Sequence, residues 1–437
     1  MRYFKYIILL TCLGTKALAQ QVDSVLTLQQ CIDIAIKNNL TVQKSQLQME
    51  ADRIYWQQAR ENMLPTLNGN IDHTINNGRS QNADFTYVNS QITNANYNLN
   101  SSLVLFNGLS LVNSIKQTSL AYQAGKMDYQ QAKNDISLNV ITTYLQVLDN
   151  EDQFAQAKTQ LDVSNKQLER NEILNKEGNI APQTLYDLRG TAANDKLNII
   201  NSRNAIYAAK LNLLQIMNVP FNKEVKLVRL NAAELPGVYA QTSAQVYSNA
   251  INDLALVKAA ELRVQSAEKG VKAASGNLFP TLSFNGGLNT QYSSGSRGSY
   301  SDQFRGNYSN GLGIGLSIPI LNGFQKHNRV SLAKITLQDA KNTNDATKIQ
   351  LKQSVEQAYI NMTSAYERYQ VLGDQVAAYT ESFRIAEVRF NAGDLNSVDY
   401  LVAKGNLDRA KTGLINARYD YFIRTKILDY YQGKLAL

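Results

Sequence analysis

The sequence predicts a mostly α-helical fold with a transmembrane β portion, built from a duplicated unit of helix, two strands, long helix and return helix. Three observations predict it. Landmarks recur at one fixed spacing, that of Pro65 to Pro280: Leu64-Pro65-Thr66-Leu67 returns as Phe279-Pro280-Thr281-Leu282, Leu105-Phe106-Asn107-Gly108 as Ile320-Leu321-Asn322-Gly323, Gly178 as Gly393, and Ile200-Asn201-x-Arg203 as Ile415-Asn416-x-Arg418. After each of those prolines the apolar residues change from a helical spacing to strict alternation. After each Asn-Gly the helical spacing returns and persists over a length that no compact globular domain needs.

The termini and composition narrow the setting. Residues 1–19 read as a secretory signal peptide: Arg2 and Lys5 precede an apolar run over 6–10, and Ala17-Leu18-Ala19 fits a small-x-small cleavage site before Gln20. Thr11 is not the small residue expected before a lipidated cysteine, which disfavours a lipoprotein reading of Cys12. Cleavage removes Arg2, Lys5 and Lys16, so the formal charge falls from +8 to +5. That modest, dispersed excess argues against nucleic acid as a partner. Only Cys31 remains, so no intrachain disulfide is available. No later run of 18 apolar residues exists, which excludes a helical span and leaves strands as the route into a membrane.

The elements follow in order. Thr27-Leu28-Gln29-Gln30 and Thr242-Ser243-Ala244-Gln245 match capping boxes, each opening one helix that should run to about Asn62 or Asn277. Pro65 and Pro280 then force extended chain before them. In the second copy Leu282, Phe284, Leu288 and Tyr292 alternate with small or amide residues, as do Leu312, Ile314, Leu316, Ile318 and Ile320 with glycines and Ser317. Those apolar positions, Leu282, Phe284, Leu288, Leu312, Ile314, Leu316 and Ile318 foremost, are the candidates for facing lipid. In the first copy Leu67, Ile71 and Ile75, then Tyr97, Leu99, Leu103 and Leu105, carry the same alternation more faintly, with Asp72 and His73 interrupting. Arg297, Asp302 and Arg305, the only charges between Thr281 and Ile320, fall in a Ser- and Gly-rich connection. A one-sided hairpin can also pack on a soluble core. The signal peptide, the uncharged strands and their length of about ten residues favour transmembrane strands, for which ~9–11 residues suffice.

From Phe324 to Phe390 there is no proline and one glycine, Gly373. Val355, Met362, Tyr369, Val376, Phe383 and Phe390 recur every seventh residue, and Ala358, Ala365, Leu372, Tyr379 and Ala386 form a second such series, a seam that needs a partner helix. In the first copy Val140, Val147, Phe154, Leu161 and Leu168 keep one series, while Thr143, Asn150, Ser164 and Asn171 make the other polar. Turns at Glu177-Gly178-Asn179 and Ala392-Gly393-Asp394 close these helices. Return helices follow, with Pro182 and Ser397 in their first turns, running to about Met217 and Tyr431. The chain thus divides into the signal peptide (1–19), a first repeat (20–217), a connector with Pro220, Pro236, Gly237 and a short strand over 225–230 (218–241), a second repeat (242–432) and a tail (433–437).

Four strands cannot close a barrel, and a bilayer tolerates no unpaired sheet edge, so the chain must oligomerise: two copies give eight strands, three give twelve. The whole mature chain resembles the TolC-like outer-membrane efflux proteins. The duplicated order, the Pro-Thr-Leu strand entry, the exit Pro319-Ile320-Leu321-Asn322-Gly323-Phe324 and the turn Arg389-Phe390-x-x-Gly393-x-x-x-Ser397-x-Asp399-x-Leu401 carry the resemblance. It implies a homotrimer in the Gram-negative outer membrane. Its twelve-stranded barrel would continue into a hollow periplasmic α-barrel, passing exported material from an inner-membrane transporter through a periplasmic adaptor. Outer-membrane lipid would be its other partner.

On that resemblance the turns Gly178, Asn179 and Ile180 and Gly393, Asp394 and Leu395 are the adaptor-facing tips, and Asp399 and Phe390 are candidates for the tunnel entrance. Three copies of Asp399 would form a carboxylate ring. The family's second acidic position is Val402 here, which weakens cation block. Two plainer readings stand beside these: Asp399 as an N-terminal carboxylate favoured by the helix dipole, and Phe390 as the last member of the heptad seam.

Neither His73 nor His327 has clustered carboxylates or cysteines in the sequence around it, so no metal, cofactor or catalytic residue is nominated and no enzyme is expected. Gly311-x-Gly313-x-Gly315 lies within an alternating strand and leads to Pro319, unlike a phosphate loop. The competing reading is a coiled-coil envelope scaffold or adhesin without a conducting path. The exported substrate is not encoded in this chain, because on that resemblance selectivity lies largely with the pump and adaptor.

Overall fold

The computed structural model describes residues 25–81, 85–229 and 238–434. The signal peptide, Cys12, Pro236, Gly237 and the end of the tail lie outside the described residues. In chain order the elements are β1 (Val25–Leu26), α1 (Leu28–Asn38), α2 (Leu40–Glu61), β2 (Thr66–Gln81), β3 (Tyr87–Phe106), α3 (Ser110–Lys176), α4 (Pro182–Ile216), β4 (Lys226–Leu227), α5 (Ser243–Asp253), α6 (Ala255–Gly276), β5 (Thr281–Ser293), α7 (Tyr300–Gly306), β6 (Ser309–Ser317), α8 (Gln325–Ala392) and α9 (Ser397–Tyr431).

Both capping boxes form. Thr242 accepts from the Gln245 N–H while Gln245 reaches back, and Thr27 and Gln30 exchange the same pair at 2.8 and 3.2 Å. The helices they open are each interrupted, contrary to the single helix expected from the sequence. Asn39 is extended (φ −69, ψ 125) and its side chain caps α2 through the Thr41 N–H. Leu254 is extended (φ −70, ψ 128) without a side-chain cap. Its side chain is instead buried in an apolar cluster with Val246, Ala250, Val257, Leu351 and Val355, so packing overrides helical continuity there.

α3 and α8 contain 67 and 68 residues, roughly 100 Å each at ~1.5 Å per residue. The heptad positions Val355, Ala358, Met362, Ala365 and Ala386 are buried, as are Val140 and Val147. The chain separates into two compact units. One takes in the described residues of 1–35, 139–236 and 369–420; the other, those of 36–138, 237–368 and 421–437. In the first, β1 and β4 pair in parallel, Val25 with Lys226 and Leu26 with Leu227. The Tyr144 hydroxyl lies 2.6 Å from the Val228 carbonyl and 3.3 Å from that of Leu26, tying α3 to this short ladder. The expected strand over 225–230 is thus only two residues long.

The second unit carries an antiparallel sheet in the order β2-β3-β5-β6, so β2 and β6 are its edges. Three details depart from the sequence reading. β2 runs unbroken through Asp72 and His73, because alternating pleat directions place Asp72 on the polar face without ending the ladder. A register shift between Val104 and Phe106 pairs Phe106 with Leu282, so Leu105 drops out of the alternation. Finally, β6 stops at Ser317, opposite the first residue of β5, so Ile318 and Ile320 lie beyond the strand and only the earlier candidates are in the sheet.

Candidate channel elements

Apart from Leu105 at the bulge, the register sorts the residues of this sheet onto two faces. Leu103 pairs with Phe284 and Phe284 with Ile314; Leu99 pairs with Leu288, and Leu316 with Leu282. Leu67, Ile71 and Ile75 join the same face through Ser101, Tyr97 and Thr93. One row of the opposite face reads Asn68, Asn100, Gly287 and Gly311 across all four strands, and neighbouring rows add Asn70, Asn98 and Asn289, then Ser102, Asn285 and Gly313. Ser102 donates to Asn285 at 2.8 Å and Ser309 to Asn289 at 2.6 Å, so the amides are partly knitted together. Away from α7 the apolar face is left bare in the single chain: Leu312 is 80% exposed and Ile71 74%. A soluble protein would cover so large an apolar face.

Two tight turns end the long helices in the other unit. The Asn179 N–H bonds the Leu174 carbonyl and the Gly178 N–H that of Asn175; Asp394 and Gly393 repeat both bonds to Arg389 and Phe390. Gly178 and Gly393 have φ of +74 and +84, the left-handed conformation this closure requires. Asn179, Ile180, Gly393 and Leu395 line a common cleft of about 480 Å³ with Phe390 and Thr184, so the structure brings the two predicted tips together. Phe390 stacks on Tyr400 at 4.5 Å and Phe383 packs on the same ring at 5.6 Å. Phe390 therefore ends the heptad seam, with Tyr400 as the partner that the sequence did not single out.

Asp399 is exposed in the first turn of α9. Its N–H donates to Asn396 Oδ1 and its carboxylate accepts from Asn396 Nδ2, both at 2.8 Å, a capping arrangement. Ser397 donates to Asp187 at 3.0 Å beside it. Deeper in the same unit the polar series of α3 faces inward: Ser164 donates to Asp195 at 2.6 Å, and Asp195 meets Lys404 at 3.0 Å. Lys404, 4% exposed, also contacts Asp408 at 2.6 Å. Burial pushes the Asp408 carboxyl above its ordinary range, against the pull of Lys404. Desolvation likewise raises Asp149 on α3, whose Oδ1 is buried without a hydrogen-bond partner.

Sequence reading missed α7, which occupies part of the expected loop. Its signal was present as Ser299-x-x-Asp302: Ser299 accepts from the Asp302 N–H at 3.2 Å, and its own N–H donates to the Asp302 carboxylate at 3.2 Å. Among the described residues no helix is long and apolar enough to cross a membrane.

A four-stranded sheet apolar on one side and amide-lined on the other, in a chain with two helices of 67 and 68 residues, has the features of an outer-membrane channel protein. The chain belongs to the outer membrane efflux protein family, whose model matches residues 31–219 and 246–431. It is 25% identical to outer membrane protein TolC of Escherichia coli over 403 residues, covering 91% of this chain and 80% of that protein. To toxin and drug export protein A of Aggregatibacter actinomycetemcomitans it is 22% identical over 407 residues, covering 90% and 83%. Its fold resembles that of CusC (TM-score 0.81, 17% identity, 93% of this chain and 91% of that one). It also resembles the outer membrane protein VceC of Vibrio cholerae (TM-score 0.78, 16% identity, 93% and 96%). The protein is thus an outer-membrane efflux channel with a periplasmic tunnel portion.

Proposed function

We propose that three copies of this chain form one passive conduit: a twelve-stranded barrel continuous with a helical tunnel, fed through a periplasmic adaptor by an inner-membrane transporter. The observation that carries this reading is the division of the sheet into an apolar and an amide face, with both edge strands unpaired. Joining β6 of one copy to β2 of the next would satisfy both edges, as a bilayer demands. Twelve strands leave a bore wide enough for water, toward which the Asn, Ser and Gly face would turn, while Leu282, Phe284, Leu288, Leu312, Ile314 and Leu316 meet lipid.

On this reading the repeats 20–217 and 242–432 are quasi-equivalent staves, each giving one strand pair and one set of helices. The Gly178–Ile180 and Gly393–Leu395 turns would be the adaptor-facing tips. Asp399, besides accepting from the Asn396 that caps α9, would supply a ring of three carboxylates near the entrance, with Phe390 held beside it by Tyr400. Energy would come from the transporter. The test is conductance: purified protein in a planar bilayer should give discrete, ohmic steps from a particle of three chains. A membrane-inserted trimer that passes no current would overturn the conduit and leave a scaffold in its place.

A further inference from the structure

α7 is folded back onto the apolar face of the sheet, at the end of β5 remote from the helices. Thr290 donates to the Phe304 carbonyl at 2.6 Å, and Gln303 clamps both the N–H and the carbonyl of Ser293 at 3.0 and 3.1 Å. Four rings gather there: Tyr97 lies edge-on to Phe304 at 5.4 Å, Tyr292 is 4.7 Å from Tyr300, and Tyr300 stacks on Phe304 at 6.2 Å. The Tyr97 and Tyr300 hydroxyls share a hydrogen bond. Tyr97, Thr290 and Tyr292 have the same pleat parity as Leu99 and Leu288. Along β3 and β5 that face therefore changes from aliphatic to aromatic, while Ile71 and Ile75 continue it on β2, and the aromatic part carries a helix.

The length of that face decides what α7 is for. Leu282 to Leu288 spans roughly 20 Å along β5 at ~3.4 Å per residue, or about 16 Å of height at a tilt of ~40°. An outer-membrane apolar band is ~25 Å tall, so the aliphatic residues of β5 alone fall short. Extending to Tyr292 brings the height to about 26 Å at the same rise and tilt. The ring cluster then lies at the boundary between acyl chains and headgroups, where amphipathic aromatic side chains are favoured. The outward side of this segment suits such a boundary. Tyr300, Phe304 and Tyr308 remain exposed, Arg297 precedes the helix and Arg305 lies in its last turn, both at exposed positions, and the one acid, Asp302, is engaged in the cap.

We propose that α7 is an interfacial anchor lying in the outer leaflet of the outer membrane. Tyr300, Phe304 and Tyr308 would sit at the acyl boundary and Arg297 and Arg305 would reach the lipid phosphates, fixing the height of the sheet in the bilayer. The proposal rests on the barrel reading, and its test separates the two. Trp56 is the only tryptophan, so Phe304→Trp and Leu288→Trp, each with Trp56→Phe, place single reporters on α7 and on the aliphatic band. The full-length protein is reconstituted in phosphatidylcholine brominated either near the headgroup or near the chain ends. Emission from position 304 should be lost chiefly to headgroup-side bromine, and emission from 288 chiefly to deeper bromine. Quenching at 288 with none at 304, or loss at 304 to aqueous iodide alone, would overturn the anchor while leaving the barrel intact. No lipid quenching at 288 would overturn the barrel itself. Arg297→Ser with Arg305→Ser should abolish any rise in thermal midpoint that added lipid A gives the parent protein; an undiminished rise would remove the phosphate contact from the proposal.

Discussion

α3 and α8 hold corresponding places in the duplicated sequence and have nearly the same length, yet one is covered and the other bare. Within the sheet-bearing unit, residues of α3 from Leu111 to Leu120 are almost all half-buried, packed among helices of the same chain. The matching stretch of α8 is open: Ile335, the counterpart of Leu120, is 65% exposed, and Ile349, two heptads on, is 60% exposed. The strand exits differ in the same sense. Both turn through a glycine with positive φ, Gly108 (+64) and Gly323 (+59), followed by a bulky residue also at positive φ. Gly108 is pressed against the end of α6, where a Cβ at Gly276 would come within 2.6 Å of the Gly108 carbonyl; around Gly323 there is open space. A repeated sequence that builds the same contact surface twice but fills it once has an unfilled partner position. A neighbouring copy, as proposed above, would supply to α8 what α6 and α2 supply to α3.

The largest effect should come from placing charge on the bare side. Ile335→Glu would put an unpaired carboxylate into the proposed junction between copies, once per copy, and burying such a group costs several kcal/mol. Sedimentation in detergent should then show single chains with undiminished helicity by circular dichroism. Leu120→Glu, on the side already filled within the chain, should instead lower the thermal midpoint of the protomer itself. Retention of the trimer by Ile335→Glu would break the comparison, since α8 would then face solvent or lumen.

The glycines sharpen the comparison by a smaller increment. An L-residue held at left-handed φ costs about 1–2 kcal/mol. Gly323→Ala should cost no more than that in the isolated chain, whereas Gly108→Ala adds overlap with the Gly276 carbonyl and should cost clearly more. In the assembled protein the two costs should converge if a neighbour closes on Gly323 as α6 closes on Gly108. Urea titrations of monomeric and assembled material read the difference directly, and an unchanged gap between the two variants would count against the shared geometry.

Much of this was legible in the chain. Duplication, alternation and the heptad series are periodic signals, and the sheet faces and the long helices followed from them, while Gly178 and Gly393 marked the two turns. What the sequence hid was set by packing. Nothing in the period distinguishes a helix that continues past Leu254 from one that breaks there to bury that side chain. The end of β6 at Ser317 depends on where its partner β5 begins, and the bulge at Leu105 depends on register with another strand. α7 was hidden by composition, its Ser- and Gly-rich flanks reading as loop although the Ser299 and Asp302 pair marked a helix start. The contrast between α3 and α8 was least legible of all, because burial depends on what packs against each helix and not on its own period.

The smallest predicted effect concerns the tips, where the two copies differ in charge at several positions, Thr184 and Asp399 among them. Asp399 corresponds to Thr184, and only the former adds a carboxylate to the entrance. Asn396 caps α9 by accepting the Asp399 backbone N–H, which any residue at 399 keeps, so removal to alanine mixes the loss of a charge with the loss of the Asn396 Nδ2 bond to the carboxylate, worth about 1 kcal/mol. Asp399→Asn separates them, since the amide keeps an oxygen to accept from Asn396 while abolishing the charge. It should leave the thermal midpoint within about 1 kcal/mol of the parent and yet reduce cation selectivity and block by multivalent cations in bilayer recordings. Thr184→Ala should change neither. If Asp399→Asn and Thr184→Ala give identical currents, the carboxylate serves only as the acceptor for Asn396; the asymmetry between copies at the tips then has no consequence for ions, unlike their asymmetry along α3 and α8.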